Sequence, residues 1–256
     1  MAIKYTKKYL LNSLSSVVLR ALNQECLGAI THVRTSEKIA ALTFDDGPHP
    51  VYTHKILDIL AGYGSSATFF VVGGSALRHK DLLDRMIREG HEIGNHSCSH
   101  LSFIFLNSEQ RQREIKLCDE SIRPYRTHLF RPPFGHLNLR SRLDLLRGGK
   151  KIIAWNIIPG DWKGHPAETM FRTVAGRMSP GSIILLHDAL QTFEDSRHIP
   201  RDETCRLLEM LLHKFGREYR LVTITELLAR GEPVRVYRQT KPDRQWLSSQ
   251  QSQAWW

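Results

Sequence analysis

The sequence predicts an α/β fold built on a parallel sheet. Three observations carry that expectation. Short apolar runs rich in β-branched and aromatic residues alternate with amphipathic helical stretches from about residue 38 to residue 229. At 256 residues and 41% hydrophobic content, the chain can bury one large core. Charged and imidazole side chains recur at the C-terminal ends of the apolar runs, where parallel sheets and barrels build their sites. Seven runs, nearly all followed by a helix, fit either an irregular barrel or an open doubly wound sheet.

In chain order, Lys38 to Phe44 reads as the first strand. Val51 to Ala61 reads as a helix whose Val51, Ile56, Leu57, Ile59 and Leu60 form a broad apolar side. Ala67 to Val72 is a second strand, and Asp81 to Glu89 a helix that Gly90 ends. A short strand, Glu92 to Gly94, runs into His96. Ser108 is read as the N-cap of a helix reaching Ile122, followed by a strand from His128 to Arg131 and a helix from Leu137 to Leu146. Lys151 to Asn156, Ser182 to Leu186 and Arg220 to Thr223 complete the strands. Ala167 to Met178, Asp202 to Phe215 and Glu226 to Ala229 complete the helices.

The flanks read differently. In residues 1–37, Leu10, Leu14, Val17, Val18 and Ala21 fall on one helical face, which predicts a helical extension packed on the main domain, with a membrane-surface helix as the alternative. Asn12, Ser13, Ser15, Ser16 and Arg20 interrupt any signal-peptide core, and no run approaches the ~20 apolar residues of a membrane span. The expected location is therefore the cytoplasm, with the cell envelope as the alternative. Residues 229–256 read as a polar tail carrying Trp246, Trp255 and Trp256.

Lys plus Arg at 36 against Asp plus Glu at 26 gives a net charge of +10, which favours acidic partners or simply a basic surface. No zinc finger, helix-turn-helix or basic cluster interleaved with aromatics supports a nucleic-acid role. Cys26, Cys98, Cys118 and Cys205 are widely spaced without Cys-x-x-Cys and read as reduced thiols.

The chemistry starts where the first strand stops, at Asp45-Asp46-Gly47-Pro48. Two adjacent carboxylates need a cation or a proton between them, and alternation along a strand end points them in different directions. Gly47 is read as supplying backbone angles closed to other residues, and Pro48 as fixing the exit. The tetrapeptide alone reads equally as a surface turn. His96 and His100 stand four apart, one helical turn, so both can face one ion with Asp46. Two imidazoles and a carboxylate leave positions open for water and substrate, as hydrolytic zinc sites require. Cys98, between them, is expected to point away and pack.

Five stretches occur in order: Thr-Phe-Asp-Asp-Gly-Pro (43–48), His-Ser-x-x-His (96–100), Arg-Pro-Pro-Phe-Gly (131–135), Asp-Trp (161–162) and Leu-Leu-His-Asp (185–188). Together they closely resemble the polysaccharide deacetylase, or NodB-homology, family, carbohydrate esterase family four. The resemblance spans about Lys38 to Leu228, so residues 38–228 are expected to form the catalytic domain. It implies an irregular (β/α) barrel with about seven parallel strands. It also implies that Asp46, His96 and His100 bind a divalent metal, zinc foremost, with cobalt, nickel or manganese as alternatives.

By the same resemblance Asp45 is the catalytic base and Arg131 its tether, while His187 is the acid and Asp161 its orienting carboxylate. Phe134 would donate its backbone N–H to the oxyanion, and Trp162 and Leu185 would wall the acetyl pocket. Relatives often carry Tyr where this chain has Phe134, a departure that leaves a backbone donor intact. The implied activity is removal of N-acetyl groups from chitin-oligosaccharide or peptidoglycan-type glycans, with release of acetate. The rival readings are an O-acetyl xylan esterase, a cyclic-amide hydrolase, or a glycan-binding protein without catalysis.

Overall fold

The computed structural model describes residues 24–192 and 196–240. The amphipathic pattern from Leu10 to Ala21 and the tryptophans Trp246, Trp255 and Trp256 lie outside them. The strands are β1 Ala29–Arg34, β2 Ile39–Asp45, β3 Thr68–Val71, β4 Glu92–Asn95 and β5 Leu129–Phe130, then β6 Lys151–Ile152, β7 Ile183–His187, β8 Arg220–Leu221 and β9 Glu232–Val236. The helices are α1 Tyr52–Gly62, α2 Gly73–Arg78, α3 Lys80–Arg88, α4 Ser108–Ser121, α5 Leu139–Arg147, α6 Ala167–Ala175, α7 Asp202–Phe215 and α8 Ile224–Leu228. No helix among the described residues is long and apolar enough to cross a membrane.

Seven parallel strands form a curled sheet in the order β6-β5-β4-β3-β2-β7, with β8 pairing with β2. The fold is thus α/β with seven parallel strands, a curled half-barrel where the motifs imply an irregular (β/α) barrel of about seven. β2 is buried along its whole length, the pattern of a parallel strand covered on both faces. Its Ala40, Leu42 and Phe44 join Leu57 and Leu60 of α1 and Leu208 and Leu211 of α7 in one core cluster. Its Ile39 and Ala41 join Ile30, Val33, Phe70 and Ile183 in another. Period-two alternation on one strand therefore feeds two cores.

Parallel register brings the functional positions to one rim. Asp45 lies level with Phe70 of β3 and His187 of β7, and Asn95 lies level with Val71 of β3 and Phe130 of β5. Asp46, His96 and Arg131 each follow one of these residues, so all leave the sheet on the same side.

β1 and β9 form an antiparallel pair that the reading of 29–34 as extension and 232–236 as tail did not foresee. β1 spans the open side of the curl: single bridges join Ile30 to Ile153 and His32 to Ser182. Ile30 and Val33 are core residues. Smaller differences occur elsewhere. The N-cap of α4 is Asn107 rather than Ser108; its side chain accepts from the Gln110 N–H, and that of Gln110 accepts from the Asn107 N–H. α2 begins at Gly73, a helix absent from the sequence reading.

His91 is a buried liability between α3 and β4. Its Nδ1 accepts the Ala67 N–H at 3.2 Å, its ring meets Phe69 edge-on, and its Nε2 is buried without a hydrogen-bond partner. Burial pushes its pKa down to about 4 from 6.5. The native imidazole thus refuses a proton that the unfolded chain accepts. Stability is full above pH 6.5 and is lost as pH falls toward 4, by about 3 kcal/mol if the whole shift is expressed. In thermal unfolding between pH 7 and 5, His91→Gln should show a shallower pH slope than the wild type. An equal slope would remove His91 as its source.

Candidate active site

The turn after β2 is built differently from the sequence reading. Asp45 is the last strand residue, and Asp46 takes a positive φ of 78°. The unusual angle therefore belongs to Asp46, not to Gly47. Gly47 is required for space: a Cβ there would lie 2.0 Å from Oδ2 of Asp188. Four non-glycine residues with positive φ occur among the described residues, Asp46, Ser97, His100 and Phe134. Such angles cost about 1–3 kcal/mol each and persist only where surroundings over-determine them. Two of the four belong to the candidate metal set, and Phe134 packs its ring 4.5 Å from that of His100.

His96 to His100 is likewise not a helical turn. It is an irregular loop, with φ of 66° at Ser97 and 55° at His100. Side chains replace the missing helical bonds. Asn95 Oδ1 accepts the Ser97 N–H at 2.8 Å, Ser97 Oγ accepts the His100 N–H at 3.0 Å, and Glu114 Oε2 accepts the N–H groups of Cys98 and Ser99 at 3.0 and 2.8 Å. Cys98 packs on the core, as expected, and the two histidines converge although the reason differs.

Asp46, His96 and His100 are buried, with ligand-type atoms all within 4.8 Å of one another. Asp46 Oδ1 lies 3.3 Å from His96 Nε2 and 3.0 Å from His100 Nε2. His96 Nδ1 is 2.7 Å from the Arg131 carbonyl oxygen, to which it donates its proton. With Nδ1 turned to that carbonyl, Nε2 is the ring atom that faces the Asp46 carboxylate. A carboxylate oxygen and two ring nitrogens converging at this range need a cation or proton between them, so the donor set fits a divalent metal. Burial would raise the Asp46 carboxyl, but the imidazoles of His100, His96 and His187 hold it well below the usual range.

Two ion pairs flank this cluster. Arg131, fully buried, donates to Asp45 Oδ1 at 2.6 Å, to Thr43 Oγ1 at 2.8 Å and to the Ala154 carbonyl at 3.1 Å. Its guanidinium carbon lies 4.1 Å from the centre of the Phe70 ring. On the other side, His187 Nδ1 lies 2.8 Å from Asp161 Oδ1, and the His187 N–H donates to Asp161 Oδ2 at 2.8 Å. Burial alone would lower the His187 pKa; Asp161, with Asp46 and Asp45, raises it to about 9. Thr204 and Arg201 hold Asp161 in turn, through its Oδ2 and its carbonyl oxygen.

A cavity of about 270 Å³ opens over these groups, lined by Asp45, Asp46, His96, His100, Phe134, Trp162, Leu185 and His187. The Trp162 ring meets His187 edge-on at 5.3 Å. Arg131 and Asp161 stand behind the wall. All ten residues singled out from the sequence therefore meet at one place. Trp155, His136 and Leu190 also line the cavity and were not singled out.

The sequence reading also passed over Asp188. Its Oδ1 accepts the Gly47 N–H at 3.1 Å, its Oδ2 accepts the Thr53 hydroxyl, and its N–H donates to the Asp45 carbonyl at 3.3 Å. Burial pushes its carboxyl up to about 7. Its place in Leu-Leu-His-Asp was the available signal.

Comparison with known proteins gives this geometry a lineage. The polysaccharide deacetylase family model matches residues 32–152. The chain is 34% identical over 212 residues to a peptidoglycan-N-acetylglucosamine deacetylase of Bacillus cereus, covering 80% of this chain and 95% of that protein. It is 36% identical over 214 residues to the peptidoglycan-N-acetylmuramic acid deacetylase PdaC of Bacillus subtilis, covering 82% of this chain but only 42% of that longer protein. Among solved structures, the Bc1960 peptidoglycan N-acetylglucosamine deacetylase superposes with a TM-score of 0.74 at 28% identity, covering 83% of this chain and 98% of that one. With the five motifs meeting at one rim of the same fold, the chain belongs to the polysaccharide deacetylase family.

Proposed function

We propose that this protein is a metal-dependent hydrolase that removes N-acetyl groups from an amino-sugar glycan of the peptidoglycan or chitin-oligosaccharide type. The observation that carries this reading is the flanking of a buried Asp-His-His cluster by a carboxylate–guanidinium pair on one side and an imidazole–carboxylate pair on the other. Asp46, His96 and His100 would hold the ion, and a two-nitrogen, one-oxygen donor set suits zinc first. When bound there, a divalent ion would acidify water and polarise the acetyl carbonyl.

The remaining work falls to the chain. Asp45, aimed by its hydrogen bond from Arg131, accepts the proton of the attacking water. The backbone N–H of Phe134 donates to the carbonyl oxygen as negative charge grows on it. His187, held as imidazolium by Asp161, gives its proton to the departing amine nitrogen. Trp162 and Leu185 limit the acyl side of the pocket to a small group.

The test is acetate release from peptidoglycan fragments, N-acetylglucosamine oligomers and acetylated xylan, with and without a chelator. Release from an amino-sugar substrate that stops on chelation and returns with zinc is expected. Release from xylan alone, or a rate indifferent to chelation, overturns the reading. His100→Ala, which deletes one of three ligands, should weaken zinc binding at least ~10-fold, with activity partly recovered by excess zinc.

A further inference from the structure

The carboxylate of Asp46 is shared out. Oδ1 faces the two imidazole nitrogens, whereas Oδ2 accepts the backbone N–H of Gln191 at 3.0 Å. The Gln191 side-chain amide then donates to the Asp46 carbonyl oxygen at 2.8 Å and to Ser75 Oγ at 3.1 Å. One residue thus grips Asp46 by its carboxylate and by its backbone, at a φ of 78° that a residue with a Cβ keeps only under such constraint. Ser75 sits in α2, packed beside the turn, and gives the grip a fixed anchor. Leu190 and Thr192, on either side of Gln191, line the cavity.

We propose that Gln191 is a positioning residue for the metal site, an assignment that rests on the hydrolase reading above. By occupying Oδ2 and bracing the backbone, it reserves Oδ1 for the ion and holds it against His96 and His100. The segment that walls the pocket therefore also sets metal affinity. Partners that orient metal ligands typically change affinity by ~10- to 100-fold when removed. The backbone N–H survives any substitution but proline, so a side-chain variant tests the brace alone.

Gln191→Met keeps the length of the side chain and removes its amide donors. Metal-free wild type and variant are titrated with zinc against a competing chromophoric chelator, and thermal unfolding of both metal-free proteins is recorded. The zinc dissociation constant should rise ~10-fold in Gln191→Met, and acetate release lost at limiting zinc should return in excess zinc. Ser75→Ala should shift affinity in the same direction by about 3-fold, and the double variant should be no worse than Gln191→Met, because both remove one bridge. Unchanged zinc affinity in Gln191→Met overturns the proposal, as does a rate loss at saturating zinc with unchanged affinity. If Gln191→Met fails to fold, the Ser75→Ala titration decides, and unchanged affinity there overturns it. A wild type that binds no zinc removes both this proposal and the hydrolase reading; equal binding by wild type and variant removes this one alone.

Discussion

Asp45→Asn is expected to keep near-normal metal content while losing at least ~10²-fold in kcat. The substitution preserves size and leaves an oxygen to accept from Arg131, which donates to Asp45 Oδ1 at 2.6 Å. It removes the ability to take a proton from water. It also leaves a fully buried guanidinium without its anion, a loss that costs about 3–5 kcal/mol when a buried pair is broken outright. The retained hydrogen bond and the contact with the Phe70 ring reduce that cost. Thermal unfolding and bound-metal measurement beside the rate assay separate the effects, since a variant that is folded and metal-loaded at the assay temperature owes its slowness to the reaction step.

Asp46→Asn should fail in another way. It replaces an anionic donor by a neutral amide, so metal should be lost at low concentration and activity partly restored by excess. The geometry supports the proposed division of labour with a reason that strand alternation alone does not supply. Asp45 ends β2 in register with His187, while the positive φ of Asp46 swings its carboxylate to His96 and His100. A zinc titration of both variants, with bound metal and kcat measured together, is the check. If excess zinc rescues Asp45→Asn and not Asp46→Asn, the two assignments are reversed.

What the sequence made legible was local or was carried by motifs. β2 ran from Lys38 to Phe44 in the reading and runs from Ile39 to Asp45 in the structure, because a continuous apolar run ending in two carboxylates is a strong local signal. α7 was placed at its observed ends, Asp202 and Phe215, by helical periodicity. β1 and β9 were missed because their pairing, Ala29 with Val236 and Arg34 with Glu232, joins segments far apart in the chain. Neither has a pattern that marks it as half of a sheet.

The site was legible as a list of residues and illegible as a construction. His96 and His100 were paired for the right outcome by the wrong geometry. Their loop depends on Glu114, a residue on α4 whose part in the site no spacing rule marks. Gly47 was given the left-handed angle because glycine is the usual bearer of it, whereas Asp46 bears it under constraint from Gln191. Gln191 lies outside all five motifs, three residues past Asp188, the end of the last one.

His187→Ala is expected to bind zinc and substrate nearly as the wild type does and to lose ~10²- to 10⁴-fold in kcat, the usual worth of a positioned acid. An amine leaves poorly as an anion, so the proton must be in place when the bond breaks. In the proposed mechanism Asp161 keeps it there: its carboxylate raises the His187 pKa to about 9, above the ordinary 6.5, despite burial. The sign follows directly. The imidazolium persists below that value, so kcat should hold as pH rises and then fall on the alkaline side. A bound cation opposes the imidazolium, which sets that limb at or below pH 9. The same pair also stabilises the fold most fully below pH 6.5, a contribution lost as pH rises through the native pKa. Asp161→Asn removes the carboxylate that raises the pKa while burial continues to lower it, so the alkaline limb should move toward acid with a milder loss of kcat at its optimum. Full pH–rate profiles at saturating zinc distinguish the cases. An unchanged kcat in His187→Ala removes His187 from the reaction, and an unmoved limb in Asp161→Asn assigns that limb to another group.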